Sequence, residues 1–364
     1  MIKYLGSKRA LVPVLGSIAT AVGARTAVDL FTGTTRVAQE LKRRGLHVTG
    51  VDTASYSGVL GDCFLATDAL QVDQAELLRA LAHLASLPGE RGYFTETFCE
   101  NARFVHPRNG MRVDAVRRAI EESYAGTPLH ALLLAALLVA TDRVDSTTGV
   151  QMAFLKQWAP RALRELTLQP PALLEGPGAM VVGDALEVVE TLEPVDLAYL
   201  DPPYNQHRYF TNYHVWETLV RWDAPDHYGI ACKRVDARDD EATRSVFNRR
   251  ATMPAALAAL LQRVRAEVVV VSYNDEGWIT PDEMVTMLRD AGHPAVRRLA
   301  FDSKRYVGAQ IGIHGPTGEK VGTVSRLRNV EYVFVAGPGD KVEAAVPEEG
   351  VLPAPLPRSA TMAP

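Results

Sequence analysis

Asp201-Pro202-Pro203-Tyr204 puts a carboxylate, two tertiary amides and an aromatic ring on four consecutive residues. The group such a set would serve is an exocyclic nucleobase amine, a poor nucleophile because its lone pair is delocalised into the ring. Two acceptors, the Asp201 carboxylate and the Pro202 carbonyl, would hold its two N–H groups and draw nitrogen toward a tetrahedral geometry. Tyr204 would stack on the flat face of the base. No prior deprotonation is needed, because the amine proton becomes acidic only as an incoming methyl group arrives. The plainer alternative is a surface turn, since Asp-Pro is a common turn opener.

The element that must position these groups is the apolar run Val195 to Leu200, bounded by Pro194 and stopped by the two following prolines. Open α/β sheets bind ligands at the C-terminal ends of such strands. Upstream, a strand over Thr26 to Phe31 enters the turn Thr32-Gly33-Thr34-Thr35. A helix with Val37, Ala38 and Leu41 on one face follows, and then a strand over His47 to Val51. That strand ends at Asp52, nineteen positions after Gly33. A glycine turn and a strand-end acid suit an adenosyl ligand, with the carboxylate placed for ribose hydroxyls. The full GxGxxG pattern is absent, which argues against a dinucleotide, and a βαβ unit without ligand is the alternative. Gly183-Asp184 ends another strand with a further carboxylate. At the N-terminus, Tyr4 to Lys8 encloses a Gly-Ser turn that opens a helix beside cationic side chains. This suits a carboxylate ligand or a simple helix cap.

The 364 residues suffice for two domains or one elaborated domain, and a 47% hydrophobic content fills a large core. Cys63, Cys99 and Cys232 lack metal-ligand spacing, so reduced thiols and no structural metal are expected. No apolar leader follows Met1, and the greasiest run, Leu129 to Ala140, is too short to span a bilayer. A cytoplasmic protein without membrane association is therefore expected. A net charge of −4 excludes indiscriminate nucleic-acid binding and leaves local patches. Residues 91–118 carry an excess of three positive charges and residues 303–330 an excess of four.

The α/β rhythm breaks between residues 61 and 176. Helices are predicted there over Asp73 to Leu87, Val113 to Tyr124, Leu129 to Thr141 and Arg161 to Leu168. The rhythm resumes at Ala179 to Val182 and continues through Val268 to Val271, Val296 to Phe301 and Glu331 to Val335. The expected fold class is α/β, with a catalytic part over 1–60 and 177–336 and an inserted, mainly helical part over 61–176. Six prolines without periodicity predict a disordered tail over 337–364.

With these residues placed, the chain resembles the D12-class adenine-specific DNA methyltransferases, the group of Dam-like enzymes, over nearly everything up to Ala336. Tyr4-Leu5-Gly6-Ser7-Lys8 resembles the segment lining the methionine end of S-adenosylmethionine. Asp29-Leu30-Phe31-Thr32-Gly33 resembles the FxGxG cofactor motif, Asp52 the ribose acid, Asp184 the acid beside the cofactor adenine, and Asp201 to Tyr204 the catalytic tetrapeptide. The order of motifs is that of the alpha group, which makes the insertion a target-recognition domain. Thr35 replaces the second motif glycine, and a β-branched residue resists positive φ, so a rearranged turn is expected.

The resemblance implies a Rossmann-like fold and methyl transfer from S-adenosylmethionine, without metal, to N6 of an adenine flipped out of double-stranded DNA. It also implies a cognate restriction endonuclease as a candidate partner. Arg103, Arg108 and Asn109 are the candidate base-reading residues, and Lys304 and Arg305 the candidate phosphate contacts. An RNA adenine methyltransferase and a catalytically silent module that binds S-adenosylmethionine and DNA remain alternatives. The N-terminal segment and the long insertion favour DNA, and an intact Asp201–Tyr204 set speaks against silence.

Overall fold

The computed structural model describes residues 2–4, 8–204, 206, 208–304, 328–347 and 350–353. Eight strands form one sheet: β1 (Thr26–Asp29), β2 (His47–Asp52), β3 (Gly178–Val182), β4 (Val195–Leu200), β5 (Ala266–Asn274), β6 (Ala295–Lys304), β7 (Arg328–Gly337) and β8 (Gly350–Pro353). Their order is β8-β6-β7-β5-β4-β1-β2-β3. Only β7 runs antiparallel to its neighbours, β5 and β6. The fold is a mixed α/β sheet of mainly parallel strands, as the alternation of apolar runs and helices predicts.

Side-chain alternation divides the strand residues between two cores. On one face Leu197, Tyr199, Val268 and Val270 meet Leu15, Ile18 and Ala19 of α1 (Val12–Ala21) and Val37, Ala38 and Leu41 of α2 (Arg36–Arg43). On the other, Ala198, Leu200, Val269 and Val271 meet Leu257, Leu260 and Leu261 of one helix (Met253–Arg263), and Met284 and Leu288 of the next (Pro281–Asp290). Strands covered on both faces must be apolar at every position, which is why Val268 to Val271 reads so plainly in the sequence.

Between β2 and β3 the chain is mainly helical: α3 (Ser55–Gly61), α4 (Gln74–Ser86), α5 (Pro107–Tyr124) and α6 (Leu129–Arg143). Their apolar faces share one core with Tyr213, Trp216 and Leu219 of the segment leading into and through α7 (His214–Arg221). Two expectations are corrected. The helix expected over Arg161 to Leu168 is a single 3-10 turn, Pro160–Leu163, followed by chain without regular secondary structure up to Pro170 and Pro171. The tail from residue 337 is not structureless over its described residues. Gly339–Ala345 is helical, burying Val342 and, just beyond it, Val346 against the sheet core, and β8 pairs in parallel with β6.

Candidate active site

Strand register brings the acids together. Asp29, the last residue of β1, pairs with Tyr199, two residues before Asp201, and Asp52, the last of β2, pairs with Val182, two before Asp184. All four carboxylates therefore lie along one edge of the sheet, centred where β1 separates β2 from β4. Crossovers leave this strand in opposite directions, which opens a crevice at its C-terminal end.

Asp201 is held from two sides. The Lys8 Nζ lies 3.1 Å from its Oδ1, and the Ser272 hydroxyl donates to the same oxygen at 3.0 Å. Ser272 is itself 2.8 Å from the Tyr199 hydroxyl. Among the described residues no donor reaches Oδ2, so one oxygen is fixed and the other remains for an amine. Lys8 also approaches Glu331 of β7 at 3.4 Å, and Asn274 at the end of β5 donates to that carboxylate at 2.9 Å. Burial opposes the Lys8 charge, but Asp201 and Glu331 outweigh it and hold the ammonium well above the usual lysine range. Burial pushes the Asp201 carboxyl upward, against the opposing pull of Lys8. Tyr204 turns its ring edge to face with Tyr273, centroids 5.7 Å apart, and sits 5.7 Å from Lys8 Nζ.

The neighbouring cleft is lined by Leu30, Phe31, Asp52, Asp184, Pro203 and Phe247, among others. Asp52 accepts from the Gly33 amide at 2.8 Å and the Ala54 amide at 2.9 Å, so it fixes the glycine turn with lone pairs to spare. Gly33 has φ +50°, and a Cβ there would lie 3.1 Å from the Tyr4 ring. Asp184 caps the short helix Ala185–Val188 through the Leu186 amide. Asp29 is buried, and burial pushes its carboxyl up to about 8. Acids around an apolar slot suit a ligand that combines a flat base, hydroxyls and positive charge, which is what S-adenosylmethionine offers.

Thr35 stands at positive φ despite its branched Cβ. This residue keeps the left-handed conformation, φ 62° and ψ 14°, and is fully buried. Its hydroxyl donates to the Thr34 carbonyl at 2.7 Å and accepts from Gln39 Nε2 at 2.7 Å, which offsets the strain of a β-branched residue at positive φ. Thr35→Gly removes a strain of about 1–2 kcal/mol but strands the Gln39 amide, at a cost of similar size. Stability by denaturant titration is therefore expected to change by less than about 1 kcal/mol, with cofactor affinity retained. Loss of cofactor binding in this variant would contradict that account of the turn.

The sequence pattern of the D12 class N6 adenine-specific DNA methyltransferases matches residues 4–287. The chain belongs to that class. This D12-class enzyme is 30% identical over 259 residues to the type II methyltransferase M.NlaIII of Neisseria lactamica, covering 68% of this chain and 75% of that one. It is 27% identical over 307 residues to the modification methylase StsI of Streptococcus sanguinis, covering 79% of this chain but only 46% of that longer protein. Among solved structures it aligns with precorrin 8W decarboxylase of Methanobacterium thermoautotrophicum, at 11% identity and a TM-score of 0.30 over 90% of each chain, a likeness too slight to bear on function. Among the described residues no helix of the methyltransferase is long and apolar enough to cross a membrane.

The structure treats the methyltransferase's expected DNA contacts unequally. Asn109 is corrected: it is wholly buried, its amide donates to the carbonyls of Ala162 and Arg164, and its oxygen accepts from Leu166 N. It clamps a loop and reads no base. Arg108 is exposed and gives one nitrogen to the Leu163 carbonyl, and Arg103 stacks over Trp158 at 4.6 Å. Much of the basic excess over 91–118 is structural. Arg117 is buried against the carbonyls of Leu219 and Val220, and Arg91 and Arg118 pair with glutamates. Lys304 ends β6, with its side chain not described, and Arg305 lies outside the described residues. Sequence reading missed Ser272, Asn274 and Glu331, and the stretch from Asp240 to Asn248 that walls the cleft. For the first two, the polar residues ending the Val268–Val271 strand were the available signal.

Proposed function

We propose that the chain binds S-adenosylmethionine along the edge formed by β1, β2 and β3, and methylates N6 of an adenine flipped out of double-stranded DNA at a specific sequence. The observation that carries this is the Asp201 carboxylate, fixed at one oxygen by Lys8 and Ser272 beside an acid-rimmed cleft. The chemistry S-adenosylmethionine supplies when bound is an electrophilic methyl group. Asp52 would hold ribose hydroxyls, Asp184 the adenine end, and Tyr4, Asp29, Phe31 and Gly33 the remainder. Lys8, expected at the methionine end, would act chiefly on Asp201. Asp201 Oδ2 and the Pro202 carbonyl would orient the two N–H groups, with Pro203 shaping the loop and Tyr204 stacking the base. Asp201 then receives the departing proton. Positioning and fixed charge supply the catalysis. A cytoplasmic setting and a restriction endonuclease partner fit the modification methylases among its relatives.

Tritiated S-adenosylmethionine with unmethylated genomic DNA, and in parallel with RNA, tests this reading. Label in N6-methyladenine of DNA is expected. Label in RNA alone would move the substrate class, and none in either would leave a binding module. Sequencing DNA from cells that express Arg108 variants would show whether that residue sets the methylated motif.

Two smaller results follow. Asp52→Ala is expected to weaken the cofactor by about 1.5–3 kcal/mol, the range for hydrogen bonds to a charged group. Calorimetry showing an unchanged Kd would reduce Asp52 to a brace for the Gly33 turn. Asp29, pushed up to about 8 by burial, is mostly protonated at neutral pH. A cationic ligand beside it favours the ionised form, so cofactor binding near pH 7 should release up to about one proton. Calorimetry in buffers of different ionisation enthalpy would register this, and Asp29→Asn should abolish it.

A further inference from the structure

Beside the cleft lies a second cavity that shares Arg244, Ser245 and Asn248 with it and is also lined by Arg208, Glu241 and Arg249. Three guanidiniums around one cavity repel one another, and their partners are mostly neutral. Arg208 donates to the Ala237 carbonyl at 2.6 Å and to the Thr243 hydroxyl at 3.3 Å, and Arg244 to the Arg238 carbonyl at 2.6 Å. The Nε atoms of Arg208 and Arg244 are buried with no acceptor among the described residues. A single carboxylate serves two of the three: Glu241 takes Arg244 through Oε1 and Arg249 through Oε2, the latter at 2.9 Å. Its side chain is 70% exposed, so it gains little from burial and is readily displaced. A two-oxygen anion forked between guanidiniums is the arrangement that phosphate also satisfies.

We propose that Arg208, Arg244 and Arg249 form a receptor for a backbone phosphate of the DNA strand that carries the target adenine, with Glu241 as the internal anion that DNA displaces. This rests on the DNA reading above. A flipped base turns about its own phosphodiester links, so the flanking phosphates stay within one nucleotide's reach of it and must be held close to the cleft. A cavity sharing a wall with that cleft meets the requirement. Arg208 also precedes the helical turn Tyr209–Asn212, whose Tyr209 lines the cleft and stacks on Tyr4 at 5.3 Å. The receptor is thus tied to the loop that bears Asp201.

The test is duplex DNA binding by the full chain with S-adenosylmethionine present, measured by fluorescence anisotropy over a range of potassium chloride. In Arg249→Gln the slope of log affinity against log salt should fall by about one, alike for all sequences, with the methylated motif unchanged. Arg249→Lys, which keeps the charge, should retain most of the slope. Glu241→Gln should act in the opposite sense, tightening DNA and steepening the slope, because a competitor for the fork is gone. Both side chains are more than half exposed, so neither replacement disturbs a core. A wild-type slope in Arg249→Gln, wild-type affinity in Glu241→Gln, or an altered motif in either would overturn the receptor. Wild-type protein that bound RNA and no DNA would instead overturn the substrate reading, before any variant is compared.

Discussion

Asp201→Ala is expected to lower methyl transfer about a hundredfold or more, the scale seen when one preorganised polar contact to a reacting group is removed. The carboxylate is the acceptor that the target amine would meet, and its geometry is set in advance by Lys8 and Ser272. Cofactor affinity should change little, because Asp52 and Asp184, the acids proposed to hold the ribose and the adenine end, stand at and just beyond the ends of β2 and β3. Asp201→Asn sharpens the test. It keeps the shape but presents an amide whose NH2 group competes with the amine as a donor, so it should recover little of the lost rate. Single-turnover rates measured beside calorimetric Kd values separate the two effects. A wild-type rate in Asp201→Ala would remove this residue from the chemistry.

Lys8→Met should be the most damaging substitution for stability. It leaves Asp201 and Glu331 facing each other with their counter-charge gone, and removing one partner of a buried pair costs about 3–5 kcal/mol. It should also change the pH dependence of the reaction. Burial already pushes the Asp201 carboxyl upward and Lys8 opposes that shift. Without the ammonium the carboxyl rises further, so the acid limb of the pH–rate profile should move to higher pH. Glu331→Gln removes the second carboxylate and leaves Lys8 wholly to Asp201, which should move that limb toward lower pH. A purely structural role for Lys8 would lower stability and leave both limbs where they are.

The sheet was legible because its central strands are buried on both faces and so read as unbroken apolar runs, from Leu197 to Leu200 and Val268 to Val271. The strand-end acids were legible for the same reason, each standing where such a run stops. What stayed hidden depends on contacts between distant segments. Asn109 reads as a polar loop residue, and only the carbonyls of Ala162 and Arg164 show it to be a clamp. Arg117 counts as surface charge until the end of α7 is seen to cover it. The tail carried a weak signal, Val342 and Val346 one helical turn apart, which its prolines masked. Asp240 to Asn248 has no periodicity, so its place on the cleft wall comes from tertiary packing alone.

Lys8 and Glu331 lie 323 positions apart, and the Lys8 ammonium bridges Glu331 and the proposed catalytic carboxylate of Asp201. During synthesis, Asp201 would emerge from the ribosome well before β7 is made, and until then β5 has an unpaired edge where β7 will lie. Over that interval Lys8 can answer to one carboxylate only, and Asn274 lacks the partner that orders it. The nascent chain therefore holds every motif residue without the electrostatic setting that tunes them. Competence for methyl transfer would arrive late and abruptly, with the insertion of β7 between β5 and β6, rather than growing with chain length.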